Sequence, residues 1–257
     1  MKQECISGPN GYKIPCLHTL DGRETRVVLI SHGFGSSKRS PTAEMLLEEL
    51  PLHGVGVLAY DFPTHGESLA PRDALRLDNC LDDMGRAEAR IRELAPEAEV
   101  LYFSSSFGAY LNLIYLATRP HQGRRAMLRC AAVDMPGLFR RDVEREELAA
   151  LKRQGYFLLD HGYERPLRIV PGLLEDFDRY DVFRLYRPGT ADLAMIHGTD
   201  DKTASVQDAQ RFAAFAGAEL TLVEGGDHSF TIPGGGEKVL AAAVEFFTRD
   251  TVEHPEA

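Results

Sequence analysis

The chain has 257 residues, 44% of them hydrophobic, enough for a sizeable core in one large domain or two small ones. Its 39 acidic residues outnumber 29 basic ones for a formal net charge of −10. With no dense lysine or arginine patch, this argues against a nucleic acid partner and mildly against polyanionic substrates. No apolar stretch in the first 20 residues has the length of a signal peptide and none elsewhere approaches a membrane span, so a cytoplasmic protein with no membrane partner is expected.

In chain order, Val27–Ser31 is an apolar run that reads as a strand, and the loop Ser31-His32-Gly33-Phe34-Gly35-Ser36-Ser37 follows it. A helix is predicted from about Pro41 to Leu50 and a strand over Val55–Tyr60. After Asp61-Phe62-Pro63-Thr64-His65-Gly66-Glu67-Ser68 comes a helix over Asp78–Leu94, ended by Pro96. Its Arg86, Arg90 and Arg92 beside Glu88 and Glu93 read as a solvated face.

Val100–Phe103 reads as a strand that runs into Ser104-Ser105-Ser106-Phe107-Gly108, and an apolar helical pattern leads out from Ala109 to Ala117. A sharp turn between strand and helix lifts a serine hydroxyl clear of the sheet, where a base can take its proton. Only Ser106 has a glycine two positions on, which selects it among the three serines. The usual form of the turn is G-x-S-x-G, and Ser104 stands where the first glycine would be.

Leu128–Val133 reads as the next strand, with Asp134 after it. From there to about Arg187 the alternation breaks, because the interval is far longer than one crossover helix requires. It holds a charged helical stretch, Asp142–Gln154, and then an aromatic segment. This insertion, about residues 136–187, is expected to cap the serine. Tyr156, Phe157 and Tyr163 are its candidates for lining an apolar acyl or aryl pocket, the alternative being that they pack the insertion onto the core.

Leu193–Ile196 reads as a strand leading into His197-Gly198-Thr199-Asp200-Asp201, followed by a helix from about Ser205 to Ala216. Leu220–Val223 leads into Glu224-Gly225-Gly226-Asp227-His228, and a last helix runs from about Glu237 to Thr248. Residues 251–257 are acidic and expected to fray. Strands alternating with helices predict an α/β fold: one domain over residues 1–257, with a mostly parallel sheet covered on both faces.

At the ends of these strands the sequence resembles the α/β-hydrolases, from about Val27 to Phe247. His32-Gly33-Phe34-Gly35 is similar to the family's H-G oxyanion loop, and Asp61 to Ser68 to its D-x-x-G-x-G-x-S turn. His197 to Asp201 resembles its H-G-x-x-D acid segment, and Gly225 to His228 its G-x-x-H segment. The order serine, acid, histidine is also the family's. Within it, His32-Gly33-Phe34, Ile196 to Asp201 and Glu224 to Phe230 are similar to small bacterial cinnamoyl (feruloyl) esterases and related carboxylesterases.

The resemblance implies Ser106 as nucleophile, His228 as general base and Asp201 as the acid that orients it, with Asp134 the alternative acid. Backbone N–H groups of Phe34 and Phe107 are the candidate oxyanion donors. The expected activity is a serine carboxylesterase acting on small-molecule esters, hydroxycinnamates in the sharper form. A peptidase, amidase or thioesterase with the same triad, or a non-catalytic binding protein of this fold, are the alternatives. Four widely spaced cysteines without a C-x-x-C pair, and no glycine-rich phosphate loop, predict free buried thiols, no metal and no cofactor. A homo-oligomer stays open.

Overall fold

The computed structural model describes residues 1–250; the expected tail at 251–257 lies outside the described residues. Eight strands form one sheet in the order β1-β2-β4-β3-β5-β6-β9-β10. Here β1 is Lys2–Ser7, β2 Lys13–His18, β3 Arg26–Ser31, β4 Gly56–Tyr60, β5 Glu99–Ser105, β6 Arg125–Arg129, β9 Asp192–Gly198 and β10 Glu219–Val223. From β4 to β10 every pairing is parallel, while β1 and β2 join antiparallel at one edge.

The central strands are continuous apolar runs because both faces are covered. Successive side chains point to opposite sides: Val27, Leu29, Leu58 and Tyr60 enter one core, and Val28, Ile30, Val57 and Ala59 the other. The first core is roofed by α2 (Leu77–Leu94), α3 (Phe107–Thr118) and α8 (Val206–Ala216), the second by α1 (Pro41–Glu49) and α9 (Gly235–Thr248). No described helix is long and apolar enough to cross a membrane.

Four expectations need correction. Glu88, read as part of a solvated face, is buried and accepts from the Tyr102 and Tyr115 hydroxyls at 2.7 and 2.8 Å. The hairpin of β1 and β2 has no counterpart in the sequence reading, because β1 lies at the sheet edge and most of its side chains are polar or exposed. The strand expected at Leu128–Val133 occupies Arg125–Arg129 instead, and Cys130, at φ 45°, turns the chain out of it. Arginine at both ends disguised that strand. Arg125 is buried nonetheless, its guanidinium 5.2 Å from the Phe246 ring centroid and bonded to the Phe246 and Arg249 carbonyls. Of the four free cysteines, Cys5 is exposed rather than buried.

Between β6 and β9 lie α4 (Met135–Asp142), α5 (Arg145–Gln154), a hairpin of β7 (Phe157–Leu159) and β8 (Leu167–Ile169), α6 (Pro171–Arg179) and α7 (Val182–Leu185). Buried polar contacts tie this insertion down. Asp176 receives the Arg76 guanidinium through two bonds of 2.7 and 2.8 Å and the Leu77 N–H at 3.0 Å, so a residue of the insertion caps α2. The Tyr110 hydroxyl donates to the Tyr180 carbonyl at 2.6 Å.

One buried carboxyl sets a pH dependence of stability. Asp83, on α2, is fully buried and neither of its oxygens has a hydrogen-bond partner among the described residues. Burial pushes its pKa up from 3.8 to about 7. The folded state therefore keeps a proton that the unfolded chain releases above pH 3.8. Its contribution is complete below that pH and is lost as pH rises through about 7, at about 1.4 kcal/mol per pH unit. Asp83→Asn is expected to melt above the wild type at pH 8, with the difference closing toward pH 4. A gap of equal size at both values would refute this origin.

Candidate active site

Ser106 sits between β5 and α3 at φ 53° and ψ −113°, a left-handed conformation that a residue with a Cβ adopts only under constraint. The constraint comes from the neighbouring chain: the Ser106 N–H donates to the Arg129 carbonyl at 2.9 Å, and its own carbonyl accepts from Ala132 N–H at 3.3 Å. Gly108 follows because α3 passes over β3. A Cβ there would lie 2.5 Å from the carbonyl oxygens of Ser31 and His32, closer than any side chain tolerates. Ser104, in the place of the usual first glycine, is completely buried, and its hydroxyl has no partner among the described residues.

The acid and the histidine arrive on the turns after β9 and β10, which approach one another because both are glycine-rich. A Cβ on Gly198 would come within 2.1 Å of the Gly226 carbonyl oxygen, so only glycine lets the turns touch. They bring His228 Nδ1 to 2.7 Å from Asp201 Oδ2, and His228 Nε2 to 3.0 Å from Ser106 Oγ. With the Nδ1 proton donated to the carboxylate, Nε2 is left as the acceptor facing the serine hydroxyl.

Asp201 is held by three hydrogen bonds, with His197 close by and its Nε2 bonded to the Ala204 carbonyl at 3.1 Å. Its Oδ1 accepts from the N–H groups of Thr203 and Ala204 at 2.8 and 2.9 Å, and its Oδ2 faces both His228 and His197, the latter at 3.2 Å. Burial by itself would raise this carboxyl, but the bonds from His197, His228 and Ala204 outweigh it and hold the group well below the usual carboxylate range. Cys130, His197 and Asp201 offer ligand atoms within 4.8 Å of one another, but the Asp201 oxygens are already engaged by these donors. Asp134, the other acid weighed from the sequence, is exposed and caps α4 by accepting from Gly137 N–H.

The loop after β3 lies against the serine from the other side. A Cβ on Gly33 would stand 3.5 Å from Ser106 Cβ, so Gly33 lies against the serine. His32 braces this loop: its Nδ1–H donates to the Gly33 carbonyl at 2.7 Å and its Nε2 accepts from Phe62 N–H at 3.1 Å. Burial lowers His32 to a pKa of about 4 and His65 to about 3, so both rings are neutral near pH 7. The Phe107 N–H belongs to the first turn of α3, where backbone donors have no acceptor within the helix. Phe34 and Phe107 pack edge to face at 5.1 Å.

The three aromatic candidates of the insertion part company. Tyr163 packs on Phe34, ring centroids 6.1 Å apart, and a side chain on Gly35 would collide with its ring. Phe157 is buried in the main core, a packing position rather than a pocket wall. Tyr156 lies beneath the Arg168 guanidinium, 3.8 Å from its ring centroid. Phe139 also reaches Phe34, at 6.2 Å; it sits on α4, at the start of the insertion.

Arg129 has a part in the site that the sequence did not disclose. At the end of β6 its Nη1 donates to the His228 carbonyl at 2.7 Å and its Nε to Ser105 Oγ at 3.1 Å, while its own carbonyl takes the Ser106 N–H. One residue thus bonds to the serine turn and to the histidine loop. An arginine inside an otherwise apolar run was the available signal.

This arrangement can move a proton from a hydroxyl to a ring braced by a carboxylate. Comparison with solved structures finds the same fold in Est1E from Butyrivibrio proteoclasticus with ferulic acid bound, at TM-score 0.80 and 17% identity, covering 95% of this chain and 97% of that one. Alpha/beta hydrolase domain-containing protein 10 from mouse aligns at 0.76 and 15% identity, over 95% and 98%. The Pyrococcus furiosus esterase Pf2001 aligns at 0.67 and 18%, over 95% and 90%. A search of curated protein sequences gives no match. The family model for the alpha/beta hydrolase family matches residues 27–242, most of the length, and the chain belongs to that family.

Proposed function

We propose that the protein is a serine carboxylesterase that hydrolyses small esters through an acyl-enzyme, with hydroxycinnamate esters as its sharper substrate class. The observation that carries this reading is the hydrogen-bonded line from Ser106 Oγ through His228 to Asp201, at 3.0 and 2.7 Å. His228 Nε2 takes the hydroxyl proton as Ser106 Oγ attacks the ester carbonyl, and the carboxylate of Asp201 stabilises the imidazolium so formed. The N–H groups of Phe34 and Phe107 face the developing oxyanion. As the tetrahedral species collapses, the C–O bond to the alcohol breaks and His228 returns the proton to the departing oxygen. Water then repeats the sequence on the acyl-serine and frees the acid.

The aromatic substrate class draws support from Phe34, Phe139 and Tyr163, which gather rings around the early loop, and from the ferulic acid held by a structural neighbour. Purified protein is assayed with p-nitrophenyl esters of increasing chain length, methyl ferulate, methyl caffeate and an anilide. Hydroxycinnamate turnover above that of short alkyl esters is the expected result. Anilide turnover exceeding ester turnover would replace the esterase reading by an amidase, and no turnover of any probe by folded protein would remove the catalytic reading.

A further inference from the structure

We propose that the groove between the loop after β4 and the β7–β8 hairpin is a binding site for a small organic carboxylate carrying an apolar body. The cavity measures about 330 Å³, within the range of small-molecule sites. Leu158 and Pro166 give it apolar walls, and three guanidinium groups, Arg72, Arg165 and Arg168, line it. On a chain of net charge −10 this is a local inversion of sign. Neither Ser106, Asp201 nor His228 lines the groove, so the inference does not depend on the esterase reading.

The three arginines are not equivalent. Arg165 spends its donors on the carbonyls of Thr64, His65 and Ser68, at 2.7 to 3.2 Å, and so locks the hairpin onto the loop. Arg168 faces Asp73 at 2.8 Å and covers the Tyr156 ring. Arg72 is exposed and forms no ion pair among the described residues, leaving its fork available for bidentate contact with a carboxylate.

The carboxylate would meet Arg72, and the apolar body would lie on Leu158 and Pro166.

Isothermal titration of the full chain with benzoate, benzamide and inorganic phosphate tests this. Benzoate is expected to bind saturably, with benzamide and phosphate at least about tenfold weaker, because one lacks the charge and the other the apolar body. Arg72→Gln should weaken benzoate by about tenfold or more, and Ser106→Ala should bind it as the wild type does. Benzamide equal to benzoate, phosphate tighter than benzoate, indifference to Arg72→Gln, or loss of binding in Ser106→Ala would each overturn the proposal. The last of these would move the benzoate to the hydrolytic centre, while failure of the esterase reading alone would leave groove binding intact.

Discussion

Ser106→Ala is expected to lower kcat for a p-nitrophenyl ester by roughly 10⁶, the scale on which removal of one member of a cooperating triad acts. On the proposed reading the oxygen is the attacking atom, and no neighbouring serine offers a substitute: Ser105 Oγ accepts from Arg129, and Ser104 Oγ is completely buried. His228→Ala should fall to a similar residual rate, and the double variant no further, because a base without its nucleophile does nothing. Single-turnover kinetics read this directly, and a multiplicative loss in the double variant would show two independent contributions instead of one machine.

A structural control accompanies that experiment. Alanine at position 106 inherits the left-handed φ of 53°, so Ser106→Ala should melt close to the wild type. Ser106→Gly removes the same hydroxyl and relieves a conformation that costs roughly 1–3 kcal/mol, so it should melt higher. Equal melting of the two would mean that the turn is not strained.

Asp201→Asn should cost about 10⁴ in kcat, and the reason lies in the donor count. Oδ1 already serves two backbone N–H groups, so the amide oxygen of asparagine stays there and its NH₂ turns toward His228 and His197. The ring donor of His228 would then face a donor. His228 must move its proton to Nε2 to accept from the amide, and a protonated Nε2 cannot take the serine proton. Asp134→Asn, at the exposed cap of α4, should change kcat less than twofold; a large loss there with little at Asp201 would reverse the assignment of the acid.

The parts of the site that sit on strand ends were legible in the sequence, because an apolar run followed by glycine and a polar residue leaves a pattern. Ser106, Asp201 and His228 all lie on such turns, and Gly108 carried the register of the first. Contacts across the sheet leave no such trace. Arg129 joins the serine turn to a loop 99 residues away, and Asp176 caps α2 from 99 residues on. The β1–β2 hairpin was missed for a different reason. An edge strand with polar side chains shows little alternation, and pairing rather than periodicity makes it a strand. Within the insertion, aromatic content alone could not separate Phe157, which fills the core, from Tyr163, which packs on Phe34.

The position of β10 also bears on when the protein first becomes competent. This strand closes the sheet at its edge and pairs with β9 alone, yet the turn after it carries His228, which must reach a serine 122 residues earlier. Non-local parallel pairing is the slow part of assembling such a sheet. A chain still lacking that last strand can possess the serine turn, most of its helices and most of its circular dichroism, and still have no base. On the proposed reading, turnover is therefore a clock for the docking of the last strand and the turn after it, one that spectroscopic probes averaged over the whole molecule do not keep.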